Sequence, residues 1–535
     1  MKYPFNCAAL LLVGVLSYSS CSDFLDENPR DEISLNQFFT EPAHAENSVN
    51  ALYRDGAPAM WMNGGVYSGR QAMYGPYLSG FFDNEYKGQE PFIQFAQQLN
   101  LNSINSDGFL NGMWSQMYRE IGRANNAIKY TPTTPGLSEQ ETDRLLGEAY
   151  FFRAWAYFML VRFFGDVPLV VEPYESLADI YVARTPVAEV YAQIVSDLQY
   201  SVNEAGLSTA SMVNNGYRVT NGAAATLLAD VYLTMSGFPL QQDHYADAAT
   251  AARRVINSGT YALAQNSVDA NGNVVPENSA YNKIRRQEVL ATEFIYPIEY
   301  TIGISNSPYP AYTYPVTLTR TATSEGDVRF TINNGAYQPR DEFIRGYDKQ
   351  QDLRIQNRQF YHFMLTDTAG KQVTFPYTPY IWHDDVAVFE TATSELEVKA
   401  YGYAEVLLIA AESIARSEGV TAEAVGYLVD VRERAYYMQD RATLTASLTG
   451  LSVQDFVEEV WKERFRELVF EFKLWFDMLR TRTYPETSAG GEIDFVPLLG
   501  HKNTWGQTFE EKHLLLPLPQ QETQRNDRLQ QNPGY

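Results

Sequence analysis

The chain has 535 residues, enough for several domains or one large helical array, and 45% hydrophobic with 20% charged content places it among globular proteins rather than disordered ones. Its 41 Lys and Arg against 65 Asp and Glu give a net charge of −24, which disfavours nucleic acid, whose binding rests on phosphate neutralisation. The two cysteines, Cys7 and Cys21, leave the body of the chain without a disulfide, thiolate metal site or cysteine nucleophile.

The first residues read as an export signal: Lys2, an apolar run from Ala8 to Leu16, then SYSS before Cys21. The abrupt change to SDFLDENPRDE after Cys21 resembles a bacterial lipoprotein signal, in which Cys21 becomes the lipidated first residue after cleavage of residues 1–20. Acyl chains contribute about 0.8 kcal/mol per buried CH₂, so two or three hold a protein on a membrane without a spanning segment.

A helix is expected from about His44 to Tyr53. Trp61 to Glu90 mixes glycines, aromatics and polar groups without periodicity, the pattern of a binding loop. A helix at about Phe109 to Tyr130 precedes the most distinctive stretch, Glu139 to Phe164. Between Ala149 and Val161 its only charge is Arg153, so this helix should be buried on nearly every face. Its apolar run is too short and too charged to cross a bilayer, which takes about 20 apolar residues. Arg153 then needs a carboxylate from another helix, with Glu467 or Glu471 the expected partner, since Glu148 lies about 140° away around the helix.

Pro186 to Ala205 is amphipathic, and two helix pairs follow: Thr220–Ser236 with His244–Ser258, and Tyr401–Ser417 with Thr421–Tyr437. Such pairs with short turns resemble tetratricopeptide units. Between them, residues 259–400 break the helical pattern with turns, short β-like runs and tyrosine-rich stretches. DANGN at 269–273 has alternating oxygens, but Val274 stands where a calcium loop needs glycine, so a turn is expected and no metal site. Val457, Trp461, Phe465, Leu468, Phe472, Trp475 and Leu479 recur at helical spacing and predict one long amphipathic helix. Its other face carries Glu459 with Lys462, Glu463 with Arg466, and Asp477 with Arg480. Glu467 and Glu471 are read as members of a structural ion-pair network. Pro517 and Pro519 impose an extended path before the QNPGY turn.

GEAYFFRAWAYFMLVRFFGDVPLV (147–170), YAEVLLIAAESIAR (403–416), VRERA (431–435), ERFRELVFE with WFD (463–477), LPLP and QNPGY together resemble the SusD/RagB family of outer-membrane nutrient-binding lipoproteins of Bacteroidetes. Gly402, Phe472 with Leu474, and Asp527 depart from the family pattern. The resemblance implies a mainly α fold with four tetratricopeptide-like helix pairs and an irregular, loop-rich ligand-binding insert. It divides the chain into 21–258, the insert 259–400, and 401–535. It further implies a non-catalytic protein anchored on the outer membrane and facing the exterior, which binds oligosaccharides without a cofactor and hands them to a SusC-like TonB-dependent transporter. A peptide-binding RagB-like role and a glycoside hydrolase are the alternatives. Against the latter, no carboxylate pair stands out and no hydrolase or metalloprotease motif occurs. Aromatics make up 14% of the chain, and flat rings stack on sugars. The candidate ligand contacts are Trp61, Tyr67, Tyr74 and Tyr86 in the first loop, Tyr309, Tyr312 and Tyr314 in the insert, and Tyr377, Tyr380 and Trp382 in its second aromatic cluster.

Overall fold

The computed structural model describes residues 38–62, 71–84, 90–174, 176, 180–329 and 337–535. The export signal, Cys21, Tyr67 and Tyr86 lie outside the described residues. Helices dominate: α1 Pro42–Asn50, α2 Asp107–Tyr130, α3 Glu139–Phe164, α4 Val187–Asn203, α5 Asn221–Ser236, α6 Tyr245–Ile256, α7 Tyr403–Glu418, α8 Ala422–Ala435, α9 Arg441–Leu448, α10 Val453–Glu467 and α11 Leu474–Thr481. They pack in a chain of neighbours: α3 lies between α2 and α4, α5 against α6, α6 against α7, and α7 against both α8 and α10.

The central helix forms where the sequence places it. A capping box opens α3: the Ser138 hydroxyl accepts from the Glu141 N–H at 3.3 Å and the Glu141 carboxylate from the Ser138 N–H at 2.9 Å. Gly165, at φ +73°, ends it. From Leu145 onward nearly every side chain is buried. Arg153 is buried too, and its partner is Asp197 of α4, not Glu467 or Glu471: Nε and Nη2 reach the Asp197 carboxylate at 2.8 and 2.7 Å. Nη1 donates to Asn125 Oδ1 at 2.9 Å and to the Val171 carbonyl at 3.0 Å, so one guanidinium ties α2, α3 and α4 together. Glu467 is held by Arg354 and Arg434, and Glu471 by Lys399. Glu148 is likewise occupied, by Arg144, Arg218 and the Tyr53 hydroxyl.

The small residues of α5 permit close approach: a Cβ on Gly222 would sit 2.6 Å from the Tyr261 ring. At the C-terminal end the expected single helix is two, with α10 ending at Glu467 and α11 starting at Leu474. Phe472 between them adopts φ +61°, a left-handed conformation that costs a bulky residue about 1 kcal/mol or more. The break turns the rings of Phe470 and Phe472 toward Trp382 and Tyr337, a burial that a continuous helix would not provide. The expected ion pairs form on either side of it, Glu459–Lys462 at 2.7 Å and Glu463–Arg466 at 3.9 Å in α10 and Asp477–Arg480 at 2.7 Å in α11, but Glu463 and Arg480 are buried rather than on a solvated face.

The insert is irregular, with short antiparallel strands. Strand β1 (Phe294–Ile298) pairs with β4 (Val398–Gly402) at the insert's C-terminal end; β2 (Tyr361–Thr366) pairs with β3 (Gln372–Pro379) as a hairpin. Strands β5 (Thr483–Thr487) and β6 (Ile493–Pro497) form a second hairpin after α11, and Phe82–Asp83 pairs with Gln338–Pro339. DANGN is a turn: the Asp269 carboxylate accepts from the N–H groups of Asn271 and Asn273 at 2.8 and 2.9 Å, between bridged Val268 and Val274.

Just before β4, Glu397 accepts a hydrogen bond from the Tyr217 hydroxyl, and burial drives its carboxyl from the usual 4.5 up to about 7, with Glu299 adding to the rise. A carboxyl whose folded value exceeds its unfolded one binds protons more tightly in the folded state. Its contribution therefore favours folding at low pH and is lost as pH rises from about 4.5 through 7. The Tm should fall between about pH 5 and pH 8, and Glu397→Gln should flatten that slope; an unchanged slope would assign it to other groups.

Candidate ligand face

Three irregular stretches of the sequence meet in space. The Trp61 carbonyl accepts from the Tyr300 hydroxyl at 2.6 Å, and the Tyr300 ring lies 6.5 Å from Tyr309. Tyr309 packs on Trp382 at 4.8 Å, Trp382 on Tyr337 at 5.6 Å, and Tyr337 stacks on Phe82 at 4.2 Å. The first loop, the tyrosine-rich part of the insert and the insert's 377–384 stretch thus converge on one aromatic junction. Its rings, however, are inside it. Trp61, Tyr74, Tyr309, Tyr312, Tyr314, Tyr380 and Trp382 are all buried, and in this arrangement none offers a free face to a sugar. Tyr377 alone among the described candidates is half-buried, on the hairpin surface beside Phe363 at 4.8 Å. The physical reason is economy of packing. An insert with few helices has no amphipathic faces to bury, so its core is built from rings, each hiding 150–250 Å².

Next to the junction lies a second cluster with a polar surface. Tyr314, His362, Phe375, Tyr380, His383 and Phe389 pack ring to ring, with Tyr380 stacked on His383 at 4.9 Å and Tyr314 4.6 Å from His362. Burial pushes both imidazoles below the usual histidine range, so they are neutral at pH 7. His362 Nε2 donates to the Thr313 carbonyl, and His383 Nε2 to Asp385 at 2.9 Å. That hydrogen bond holds the Asp385 carboxyl below its usual range although the side chain is 62% exposed.

Around Asp385 stand three more charged groups. Arg285 lies 4.8 Å over the Tyr380 ring, donates to the His383 carbonyl at 3.1 Å and approaches Asp385 at 3.9 Å. Arg358 pairs with Glu325, each partly exposed. Two guanidiniums and two carboxylates over a rigid aromatic floor offer donors and acceptors side by side, as vicinal hydroxyls require. A glycosidase acid would need a carboxyl with a raised pKa, and Asp385 is shifted the other way. Sequence reasoning missed Arg285, Glu325, Arg358 and Asp385, which are charges scattered over the insert, Arg285 at the end of a short helix, without a shared spacing. The one available signal was the His383–Asp384–Asp385 run directly after the aromatic stretch. Among the described residues no group of three or more His, Cys, Asp or Glu could hold a metal ion, and no helix is long and apolar enough to cross a membrane.

Comparison with known proteins places this architecture. Residues 23–233 match a family model described as starch-binding and associating with the outer membrane, and residues 325–535 match the SusD family model. SusD-like protein P2 of Formosa agariphila is 28% identical over the full length of both chains. A solved SusD superfamily protein from Parabacteroides distasonis superposes with a TM-score of 0.76 at 26% identity, covering 92% of this chain and 98% of its own. Surface glycan-binding protein A from Bacteroides thetaiotaomicron, solved in complex with laminarihexaose, shares the fold at a TM-score of 0.66 and 17% identity, covering 92% of this chain and all of its own. With two family models spanning most of its length, relatives matched end to end and the mainly helical fold of the solved members, the chain belongs to the SusD/RagB family.

Proposed function

We propose that the protein binds oligosaccharides at the cell surface, without catalysis, and delivers them to a SusC-like TonB-dependent transporter while a lipid on Cys21 anchors it to the outer membrane, facing the exterior. The observation that carries the glycan reading is the crown of Arg285, Glu325, Arg358 and Asp385 seated on the insert's aromatic cluster. Tyr377, on the adjoining hairpin, is the candidate ring with surface left for stacking. The relative solved with laminarihexaose supports a glycan as the ligand class.

Calorimetric titration against a panel of neutral and acidic oligosaccharides tests the reading. Asp385→Asn and Arg358→Gln should each weaken the binding glycan about tenfold, the loss of one charge-assisted hydrogen bond, and leave the Tm nearly unchanged. Silence across the panel with binding of peptides would replace glycan by peptide. Affinity unchanged in both variants would move the site elsewhere. Co-purification with a SusC-like barrel in mild detergent tests the delivery step.

A further inference from the structure

A cleft of about 1020 Å³ opens away from the insert, between the C-terminal end of α3, the turn after α5, α11 and the chain's last residues. Two of the stretches that carry the family resemblance meet there, 161–166 and 531–534, with Phe476 from a third. Its walls are mainly apolar, formed by Val161, Pro239, Phe476, Leu479, Leu514 and Leu515. A glycan, with a hydroxyl on nearly every carbon, would strip its polar groups of water against such walls without replacement.

Five described cations line the cleft, and four are satisfied. Arg162 stacks between Phe158 and Phe476 at 3.7 and 3.8 Å and pairs with Asp230 at 3.7 Å. Arg184 donates to the Asp166 and Gln530 carbonyls and to Asn532 Oδ1. Arg480 is held by Glu412 and Asp477, and Lys512 by Glu510 at 3.2 Å. Arg482 is different. Among the described residues its guanidinium makes no hydrogen bond and no ion pair; it lies 5.2 Å over the ring of Phe238, which is 37% exposed. Glu511 acts on it electrostatically but does not close to an ion pair. Its backbone is also unusual, at φ +56° directly after α11, a position glycine fills more readily. That conformation is held by the Leu498 N–H donating to the Arg482 carbonyl at 2.9 Å, and the neighbouring Arg480 carbonyl accepts from the Phe238 N–H at 2.8 Å. The two turns are thereby locked across the cleft, with Arg482 and Phe238 fixed side by side.

We propose that this cleft binds an amphipathic carboxylate, an apolar chain- or ring-like body within the walls and its anionic group on Arg482. The pairing supplies what each part lacks: apolar wall surface is removed from water, and a half-buried cation that forms no ion pair among the described residues gains a direct one. The site is separate from the crown on the insert and does not depend on the glycan reading.

The full-length chain, titrated with decanoate by calorimetry and by displacement of the anionic dye 8-anilinonaphthalene-1-sulfonate, tests it. Decanoate should bind with a stoichiometry of one, and Arg482→Gln should weaken it at least about tenfold. The uncharged analogue decanol should bind wild type and variant alike. Because the Arg482 guanidinium makes no hydrogen bond or ion pair among the described residues, the variant should melt near the wild-type temperature, which separates lost binding from lost fold. A neutral oligosaccharide bound at the insert should not displace the dye. Absence of saturable decanoate binding, or equal affinity in wild type and Arg482→Gln, would overturn the proposal.

Discussion

Replacing Arg354 by alanine should lower the unfolding free energy by about 3–5 kcal/mol, the cost of leaving buried carboxylates without their cation. Arg354 is fully buried and binds three acids: Nε and Nη2 hold Asp352 at 2.9 and 2.8 Å, and Nη1 reaches Glu463 at 2.7 Å and Glu467 at 2.8 Å. Arg432 and Arg434 complete the network, Arg432 on Glu463 at 3.1 Å and Arg434 on Glu467 and Glu293 at 2.7 and 2.9 Å. The insert contributes Glu293, Asp352 and Arg354, α8 the two other arginines and α10 the two glutamates, so the network joins the insert to the helical body. Its electrostatics show in Glu463: burial alone would raise its carboxyl, yet Arg354, Arg432 and Arg466 hold it down at about 2.

The sign of the linkage follows. A carboxyl with a folded value below its unfolded one contributes stability that is fully present above about 4.5 and lost as pH falls toward 2. Without Arg354 the stability of the variant should therefore be less sensitive to acid in that range. Urea unfolding at neutral pH measures the main effect. A loss below about 1 kcal/mol would mean that Arg432 and Arg434 neutralise the acids unaided.

The network also shows what the sequence could and could not reveal. Helix α3 was legible to the residue, since an apolar run lies between a Ser-x-x-Glu box and a glycine, and all three signals are local. The breaks around 468–473 were not, because the apolar spacing carries on across them. The helix stops so that Phe470 and Phe472 can turn toward the insert, a tertiary demand that leaves no mark on the spacing. Arg153 announced its need for a carboxylate but not which one: Asp197 is 44 positions away, and nothing in the spacing ranks it above Glu467. The ligand candidates failed differently. Composition counts rings without saying which way their faces point, and the insert uses most of them as its core.

Trp382→Ala puts that last distinction to experiment. Trp382 is 4% exposed and meets Tyr309 at 4.8 Å, Phe470 at 4.9 Å, Tyr337 at 5.6 Å and Phe472 at 6.0 Å. It is a ring through which Tyr309 and Tyr337 of the insert meet the segment between α10 and α11. Truncation to alanine removes its buried area and leaves a cavity lined by rings fixed from three directions, so a cost of about 3–5 kcal/mol is expected. Such a cavity cannot collapse easily, because Phe472 is already held in a left-handed backbone conformation. The variant should melt earlier, yet the fraction still folded should bind the glycan within about threefold of wild type, a difference worth less than 1 kcal/mol. Asp385→Asn should do the reverse, sparing stability and losing affinity. The two variants thus separate a ring that builds the floor from a charge that stands upon it. If Trp382→Ala instead abolished binding at an unchanged melting temperature, the ring would be a ligand platform, and the binding state would have to turn it out of the core.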